Sequence, residues 1–313
     1  MGLFEAWRTL KGAGVLGLNA RNGDYISLYN PRRLYPRVDD KILTKSLLTA
    51  AQMPVPELYG IVSTQYEAAH LSHLLDKHDQ FALKPAHGAG GDGIMVIVGK
   101  RRDRWCKPDG RLVSLEDLEH QVSGILSGMF SLGGHPDEAM LEALVEFDPV
   151  FNQIAWQGVP DIRVIVFLGF PVMAMARLPT QASGGRANLH QGAVGVGIDL
   201  TTGRTHGGVC AGEVIHEHPD TGASLQDFQI PHWRAILDMA ASCHEPIGLG
   251  YMGVDIVLDK NRGPVILELN ARPGLSIQVA NQAGLGLRLG QIEQLPEAER
   301  TAAERVELAL SLL

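Results

Sequence analysis

Three oxygen-bearing residues interrupt two apolar stretches late in the chain: Asp255 in GVDIVL, and Glu268 and Asn270 in VILELN. Glu268 and Asn270 are two apart, so they share one face of a strand. KNRG between the runs reads as a turn. A hairpin symmetric about Asn261 and Arg262 sets Asp255 opposite Glu268, with Cβ atoms about 4.5–5.5 Å apart. Two close carboxylates in apolar surroundings repel, and burying each unpaired costs several kcal/mol. A hard divalent cation with oxygen ligands relieves both costs. The plainer alternative is that Asp255 and Glu268 are exposed alternates on an edge hairpin.

KPAHGAGGDG, residues 84–93, offers a second chemistry. Gly88, Gly90 and Gly93 have GxGxxG spacing, with Gly91 inside it. A dinucleotide fold needs a helix next, whereas IMVIVG reads as a strand, and the Gly-Lys-Ser/Thr of a Walker loop is absent. A strand, a glycine loop and a second strand, with Lys84 just ahead, read as a flap whose backbone N–H groups meet phosphates. Protein kinases use such a flap, but there the lysine follows it, and the HRD and DFG motifs are missing here. A plain hairpin loop is the alternative. Lys41 and Lys45 are four apart and so lie on one side of a helix. Alone, such a pair reads as a solvated face, with Lys45 on the outer turn.

The elements that must position these residues follow from pattern. Residues 1–11 read as helix and 12–38 as mainly irregular chain. Asp39 caps a helix over about 40–51, with Ile42, Leu43, Leu47 and Leu48 inward. Thr64 to Glu67 forms a capping box ahead of a helix to about 78. FALK and IMVIV are strands around the glycine loop, Pro108-Asp109-Gly110 is a turn, and 115–129 is helix. MLEALV, DIRVIVFL, VMAMARL and AVGVGIDL are strands, 232–247 is helix, and the 292–312 tail is an amphipathic helix. Strands in adjacent pairs among helices indicate α+β lobes rather than a doubly wound sheet.

Composition narrows the class. The chain has 313 residues, 45% hydrophobic and 20% charged, with a formal net charge of −8. Disorder and fibrous architecture are excluded, and the charge gives no support for broad nucleic-acid or anionic-membrane binding. Local basic patches stay open. Cys106, Cys210 and Cys243 form no CxxC pair, which argues against a disulfide framework and fits a reducing, cytoplasmic setting. MGLFEAWRTLK lacks the pattern of a secretory signal. Val164 to Ala176, the longest apolar run, is too short to span a bilayer and reads as two strands around a turn. His216-Glu217-His218 precedes Pro219-Asp220 and reads as a solvated turn. His70, His73 and His78 read as surface, and Cys243 as core. Arg32 and Arg33 suit an acidic substrate or a sheet edge equally.

Taken together, the chain resembles the ATP-grasp superfamily of carboxylate–amine ligases. The resemblance runs over about residues 38–280, through DKILTKSLLTAAQMPVP, FALKPAHGAGGDGI, LEALV, DIRVIVF, GVDIVL and VILELNARPG. Within it, DIRV, NLHQG and the N-terminal NARNGDYISLYNPRRLYPRVDDK look like the alpha-L-glutamate ligase-like group, related to ligases that add glutamate to a ribosomal protein. The resemblance implies two α+β lobes clasping ATP: a 1–37 extension, an N-terminal lobe over 38–140 and a C-terminal lobe over 141–313. It implies that Lys41, Lys84 and the loop glycines Gly88, Gly90, Gly91 and Gly93 meet ATP phosphates. Glu142 would accept from the adenine amino group, with Ala143 and Val145 lining the hinge and Glu146 or Asp148 holding the ribose. Asp255, Glu268 and Asn270 would hold Mg²⁺, or Mn²⁺. Arg163 and Arg272 would stabilise the transferred phosphoryl or acyl phosphate, and Arg177, Arg186, Asn188 and His190 would face the carboxylate substrate.

The implied activity is ATP-dependent ligation of a carboxylate to an amine through an acyl phosphate, releasing ADP and phosphate. Glutamate and a peptide or protein are the implied substrates, and self-association is an option. A small-molecule kinase and a non-catalytic nucleotide sensor are the alternatives. Fewer than 40 residues precede the first lysine motif, so the resemblance leads us to expect the separate substrate-binding domain of many relatives to be reduced or absent.

Overall fold

The computed structural model describes residues 2–88, 91–131 and 133–313. Gly90 of the glycine loop lies outside the described residues. Residue contacts divide the chain into two compact units. The smaller comprises Asp39–Ser46 and Val55–Glu146, the larger Met1–Val38, Leu47–Pro54 and Phe147–Leu313.

The smaller unit holds a four-stranded antiparallel sheet, ordered β1 (Leu58–Val62), β7 (Ala139–Glu142), β2 (Phe81–Pro85) and β3 (Met95–Ile97). A separate meander, β4 (Gly99–Arg101), β5 (Arg104–Cys106) and β6 (Leu112–Val113), lies between β3 and β7 in sequence. Side chains alternate across the pleat. Phe81, Leu83, Ala139, Leu141 and Ile97 form a buried cluster with Leu118, Val122 and Ile125 of the helix Leu115–Leu126. Ala82, Lys84, Met140 and Glu142 share the other face, with Ala82 opposite Glu142 and Lys84 opposite Met140. Ser114 and Asp117 cap that helix reciprocally, an arrangement worth about 1 kcal/mol. The expected Thr64–Glu67 box is present, but its helix is split into Gln65–Ala68 and Leu71–Leu75, with His70 between them at φ −116°, ψ 21°.

The helix Lys41–Ala50 departs from expectation in its cap and its inward face. Asp40, not Asp39, caps it: its Oδ1 accepts from the backbone of Ile42 at 2.9 Å and Leu43 at 3.1 Å. Asp39 instead ends a short turn, Pro36–Asp39. Leu43 is 36% exposed, while Thr44 and Lys45 are buried. The Lys45 ammonium has a carboxylate partner, Glu142, and this pairing decides the orientation.

The larger unit is built on an eight-stranded sheet. Its main path runs β12 (Glu213–Ile215), β11 (Arg204–Cys210), β10 (Val194–Ile198), β9 (Phe170–Leu178), β8 (Asp161–Phe167), β14 (Tyr251–Asp259) and β15 (Gly263–Asn270), and β13 (Gln226–Gln229) pairs with β11. The apolar run 164–176 forms β8 and β9, and the chain reverses through Leu168 and Gly169 at φ 50° and 82°. A side chain at Gly169 would meet the Arg305 guanidinium at 2.4 Å, so both space and backbone angle require glycine there.

The β14–β15 hairpin reaches the expected pairing by an unexpected route. At its turn end Asp259 faces Gly263 and Ile256 faces Ile266, one residue off the symmetric register. The register then shifts, and Asp255 faces Glu268 and Gly253 faces Asn270. Leu267 is the extra residue of a bulge. Without it, every residue beyond Ile266 would change faces.

The chain before Val38 is largely helical rather than irregular. Leu18–Ala20, a π-helical Arg21–Ile26 and Ser27–Tyr29 run on from one another, followed by the 3₁₀ turn Arg32–Leu34. Local propensity is weak here, and tertiary burial overrides it. Tyr25 meets Phe167 edge-on at 5.5 Å, in a cluster with Tyr251, Met173 and Leu285. Asn30, only 2% exposed, donates to the carbonyls of Tyr251 and Ala271 at 2.7 and 3.0 Å and accepts from Tyr251 N at 2.8 Å. The expected 292–312 helix is likewise interrupted: helices run over Leu285–Glu293 and Ala302–Ser311, with Pro296 between them. His218 is buried at 1% exposure, its Nε2 3.0 Å from Pro179 O, so it is a structural residue and not part of a solvated turn.

Asn30→Ala leaves two carbonyls and one N–H buried without that partner. The expected loss is about 2–4 kcal/mol, measured by urea unfolding, whereas Leu28→Ala on the exposed side of the same segment changes stability by less than about 0.5 kcal/mol.

Candidate functional site

Two constellations bring the sequence-derived residues together, one in each unit. In the smaller unit, Glu142 is 3% exposed and lies between two ammonium groups. Lys45 Nζ is 2.7 Å from Glu142 Oε2, and Lys84 Nζ donates to Oε1. Lys84 faces Met140 directly and so reaches Glu142 along the diagonal of the antiparallel pair. Lys45 also donates to the carbonyl of Pro56 at 2.5 Å. It is 8% exposed, which overturns its placement on a solvated outer turn. Burial pushes the Glu142 carboxyl upward, but Lys84 and then Lys45 outweigh burial and hold it below the ordinary glutamate value.

The glycine loop follows Lys84 in the chain. Strand–loop–strand geometry is present, with Phe81 facing Ile97 and Leu83 facing Met95. Lys41 Nζ donates to Gly88 O, and Lys41 N to Ala86 O at 3.2 Å. A side chain at Gly88 would meet Pro85 at 2.3 Å, and at Gly93 (φ 77°) the Phe130 ring at 2.5 Å. Gly91 has φ 82° with nothing near its missing Cβ. Ala143 N bonds Glu57 O at 2.8 Å, continuing β7 toward Val145 and Glu146.

In the larger unit, strand register assembles a row of charge. Asp161 faces Arg177 across β8–β9, Arg163 faces Asp255 across β8–β14, and Asp255 faces Glu268 across β14–β15. Arg163 grips Asp255 with both arms, Nε to Oδ1 at 2.7 Å and Nη2 to Oδ2 at 2.6 Å. Arg177 holds Asp161 bidentately at 2.5 Å and reaches Asp255 Oδ2 at 2.8 Å. Asn270 Nδ2 lies 3.2 Å from the same Oδ2. Burial raises the Asp255 carboxyl, yet Arg163 and Arg177 bring it down to about 2. Asp161 goes the other way: burial, with repulsion from Asp255, pushes it up to about 6 against the pull of Arg177. Those two carboxylates raise the Arg177 guanidinium, overcoming the burial that would lower it.

The donor set fits a hard cation. Among the described residues Asp255 Oδ1 accepts only from Arg163 Nε, and a carboxylate oxygen has two lone pairs. Glu268 is half-buried on the register partner of Asp255. Asn270, beside it, adds an amide whose carbonyl can turn inward, since O and N differ only by a flip. Among the described residues no cluster of three or more Asp, Glu, His or Cys is assembled for a metal, so this set of two carboxylates and one amide is the candidate.

The remaining sequence-derived residues make the following contacts. Arg272 is exposed and stacks over the Tyr35 ring at 5.0 Å. Arg186 is exposed with its Nη1 3.4 Å from Gln191 Oε1. Asn188 accepts from His190 N at 3.0 Å and caps the 3₁₀ turn Leu189–Gln191. Exposed His190 lines a cavity of about 260 Å³ with Leu189, Val209 and Val279. Asp148 caps the turn Pro149–Gln153 through Val150 N at 2.9 Å. Sequence reasoning missed Lys45 as a buried partner of Glu142 and Asp161 as the partner of Arg177. Asp161 was legible in the same DIRV segment that yielded Arg163.

The family model described as "sugar-transfer associated ATP-grasp" matches residues 20–294. No curated protein matches the chain. Among solved structures, the ATP-grasp ligase PsnB complexed with minimal precursor is similar at 15% identity and a TM-score of 0.46, over 85% of this chain and 64% of that one. D-cycloserine synthetase DcsG is similar at 14% identity and a TM-score of 0.43, over 91% and 74%. D-alanyl-alanine synthetase A from Vibrio cholerae O1 is similar at 9% identity and a TM-score of 0.48, over 95% and 73%. This chain thus spans less than two thirds of the length of PsnB. It belongs to the sugar-transfer associated ATP-grasp family, and so to the ATP-grasp superfamily.

Glu142→Gln removes the carboxylate between buried Lys45 and half-buried Lys84, with an expected cost of about 3–5 kcal/mol in urea unfolding. The pH dependence follows from the sign of the shift. A carboxyl lowered by folding contributes stability that is present above its unfolded value and lost as pH falls through the folded one. Wild-type stability should therefore fall on acidification below about pH 4.5, and the Gln variant should fall less steeply. Parallel profiles would contradict the assignment.

Proposed function

We propose that the protein is an ATP-dependent ligase that joins a carboxylate to an amine through an acyl phosphate, releasing ADP and phosphate. The row Arg163–Asp255–Glu268, with Asn270 beside it, carries this reading. It gathers hard oxygen donors and fixed guanidinium groups on one sheet face, and it includes no serine or cysteine paired with a histidine. In this reading Lys41, Lys84 and the glycine loop meet the ATP phosphates, Glu142, Ala143 and Val145 the adenine edge, and Glu146 or Asp148 the ribose. Asp255, Glu268 and Asn270 hold Mg²⁺, which supplies positive charge to the transferring phosphoryl group.

The chain's own residues then supply orientation. Arg163 and Arg177 are pinned by Asp255 and Asp161, so their remaining N–H groups need no reorganisation to meet an oxyanion. Arg186, Asn188 and His190 are the carboxylate-side candidates, and Arg272 a second oxyanion contact. Glutamate and a peptide or protein are the substrates to try first, because DIRV and NLHQG look like their counterparts in the glutamate ligases. Free Cys106, Cys210 and Cys243 suit a reducing cytoplasm. Among the described residues no helix is long and apolar enough to cross a membrane.

Hydroxylamine provides the test. With ATP, Mg²⁺ and a panel of carboxylates, including glutamate and glutamate-containing peptides, the expected products are a hydroxamate with ADP and phosphate in equal amounts. AMP and pyrophosphate as the main products would contradict the mechanism, and a stable phosphorylated product would favour a kinase. Glu268→Gln should abolish turnover and leave the unfolding curve close to wild type.

A further inference from the structure

His87 enters neither the metal-ligand set nor the glycine framework, yet one buried carboxylate, Asp137, holds both its backbone N–H and its ring. The β2–β7 register pairs Lys84 with Met140 and Pro85 with Ala139. The Ala86 N to Glu138 O bond at 2.9 Å continues it past the strand end. One step further sets His87 against Asp137. The Asp137 side chain is fully buried. It accepts the His87 backbone N–H at 3.1 and 3.0 Å, contacts ring Nδ1 at 2.7 Å and accepts Glu138 N at 2.8 Å. An ionised carboxylate only accepts, so Nδ1 must carry its proton, and Nε2 is the ring atom left for other contacts.

Nε2 points toward the start of the helix Lys41–Ala50, 4.0 Å from Asp40 Oδ2. Lys41 on that helix donates to Gly88 O, one residue beyond His87. The ring is 45% exposed. The charged groups against it are therefore Asp137 on one side, and Asp40 with Lys41 on the other.

We propose that His87 is a phosphate ligand of the nucleotide site, positioned by Asp137, and that it binds the nucleotide as the imidazolium. With Nδ1–H committed to Asp137, a neutral ring presents a bare lone pair at Nε2, which repels a phosphate oxygen. Only the doubly protonated ring donates from Nε2. Nucleotide binding is thereby coupled to protonation of His87, which acts as a conditional charge beside the permanent charge of Lys41. The inference rests on the nucleotide reading above and goes beyond it.

The experiment measures ATP and adenosine affinity of the full chain with Mg²⁺ between pH 5.5 and 8.5, for wild type, His87→Gln, His87→Lys and Asp137→Asn. ATP titrates over the same range, so the quantity read is the ratio of variant to wild-type Kd at each pH. For ATP the His87→Gln ratio should be about tenfold at low pH, the worth of one charge-assisted hydrogen bond, and fall to about one at high pH. His87→Lys should bind ATP tightly throughout. Asp137→Asn should blunt the pH dependence, a change that mere support of the loop would not produce. Adenosine should bind all four proteins alike, showing that each is folded. Adenosine and ATP binding with a flat His87→Gln ratio of one would overturn the role of His87 alone. Failure of wild type to bind either ligand would overturn the nucleotide reading and this inference with it.

Discussion

A carboxylate placed in the middle of a β-sheet must be met by positive charge, and much of this protein's architecture answers that demand at Glu142 and Asp255. Each would cost several kcal/mol if left alone in its buried setting. Lys84 reaches Glu142 along the diagonal of its own strand pair, and Lys45 turns the inward side of its helix toward the same carboxylate. Arg163 does the equivalent work for Asp255 from the neighbouring strand β8, and Arg177 from β9 one strand further. Register places these partners, so a shift of one residue in β7 or β14 would separate charge from counter-charge.

Other features serve that register. The Leu267 bulge returns Glu268 to its position opposite Asp255 after the hairpin turn has put the strands one residue out. Asn30 ties the helical N-terminal segment to the backbone at Tyr251 and just after β15, and thus braces both strands of the hairpin. Along β8, Ile165 and Phe167 join the apolar cluster under the sheet, while Asp161 and Arg163 carry the same face into charge. One face supplies both stability and candidate chemistry, divided along its length.

How much of this was legible in the sequence depends on the distance over which each interaction is decided. The hairpin around KNRG was legible, because a short turn between two apolar runs determines it, whereas the facing of Asp255 with Glu268 was expected from a symmetric register that the turn lacks and is met only through the Leu267 bulge. The Leu267 bulge was not, since Leu is as apolar as its neighbours. The glycine loop between two strands was legible from its composition. Lys45 was misjudged because its partner, Glu142, lies far along the chain, and a lysine four residues from another lysine reads as solvated until that partner is known. The 12–38 segment was misjudged for the same reason: Tyr25, Ile26 and Asn30 order it through contacts with strands more than a hundred residues later. His218 hid in a polar stretch, its acceptor being Pro179 O.

Buried ion pairs are weak stabilisers when compared with well-packed apolar residues. If the proposed ligase chemistry holds, Asp161, Arg163, Arg177 and Asp255 are kept for that chemistry and not for stability. The most direct test replaces all four together, Asp161→Leu, Arg163→Met, Arg177→Met and Asp255→Leu, and compares urea unfolding with ATP-dependent release of ADP. The predicted result is a folded protein about as stable as wild type, or more stable by about 1–4 kcal/mol, with no turnover. A fourfold variant that still released ADP at the wild-type rate would contradict this central claim, as would one that lost as much stability as the single change Arg163→Met.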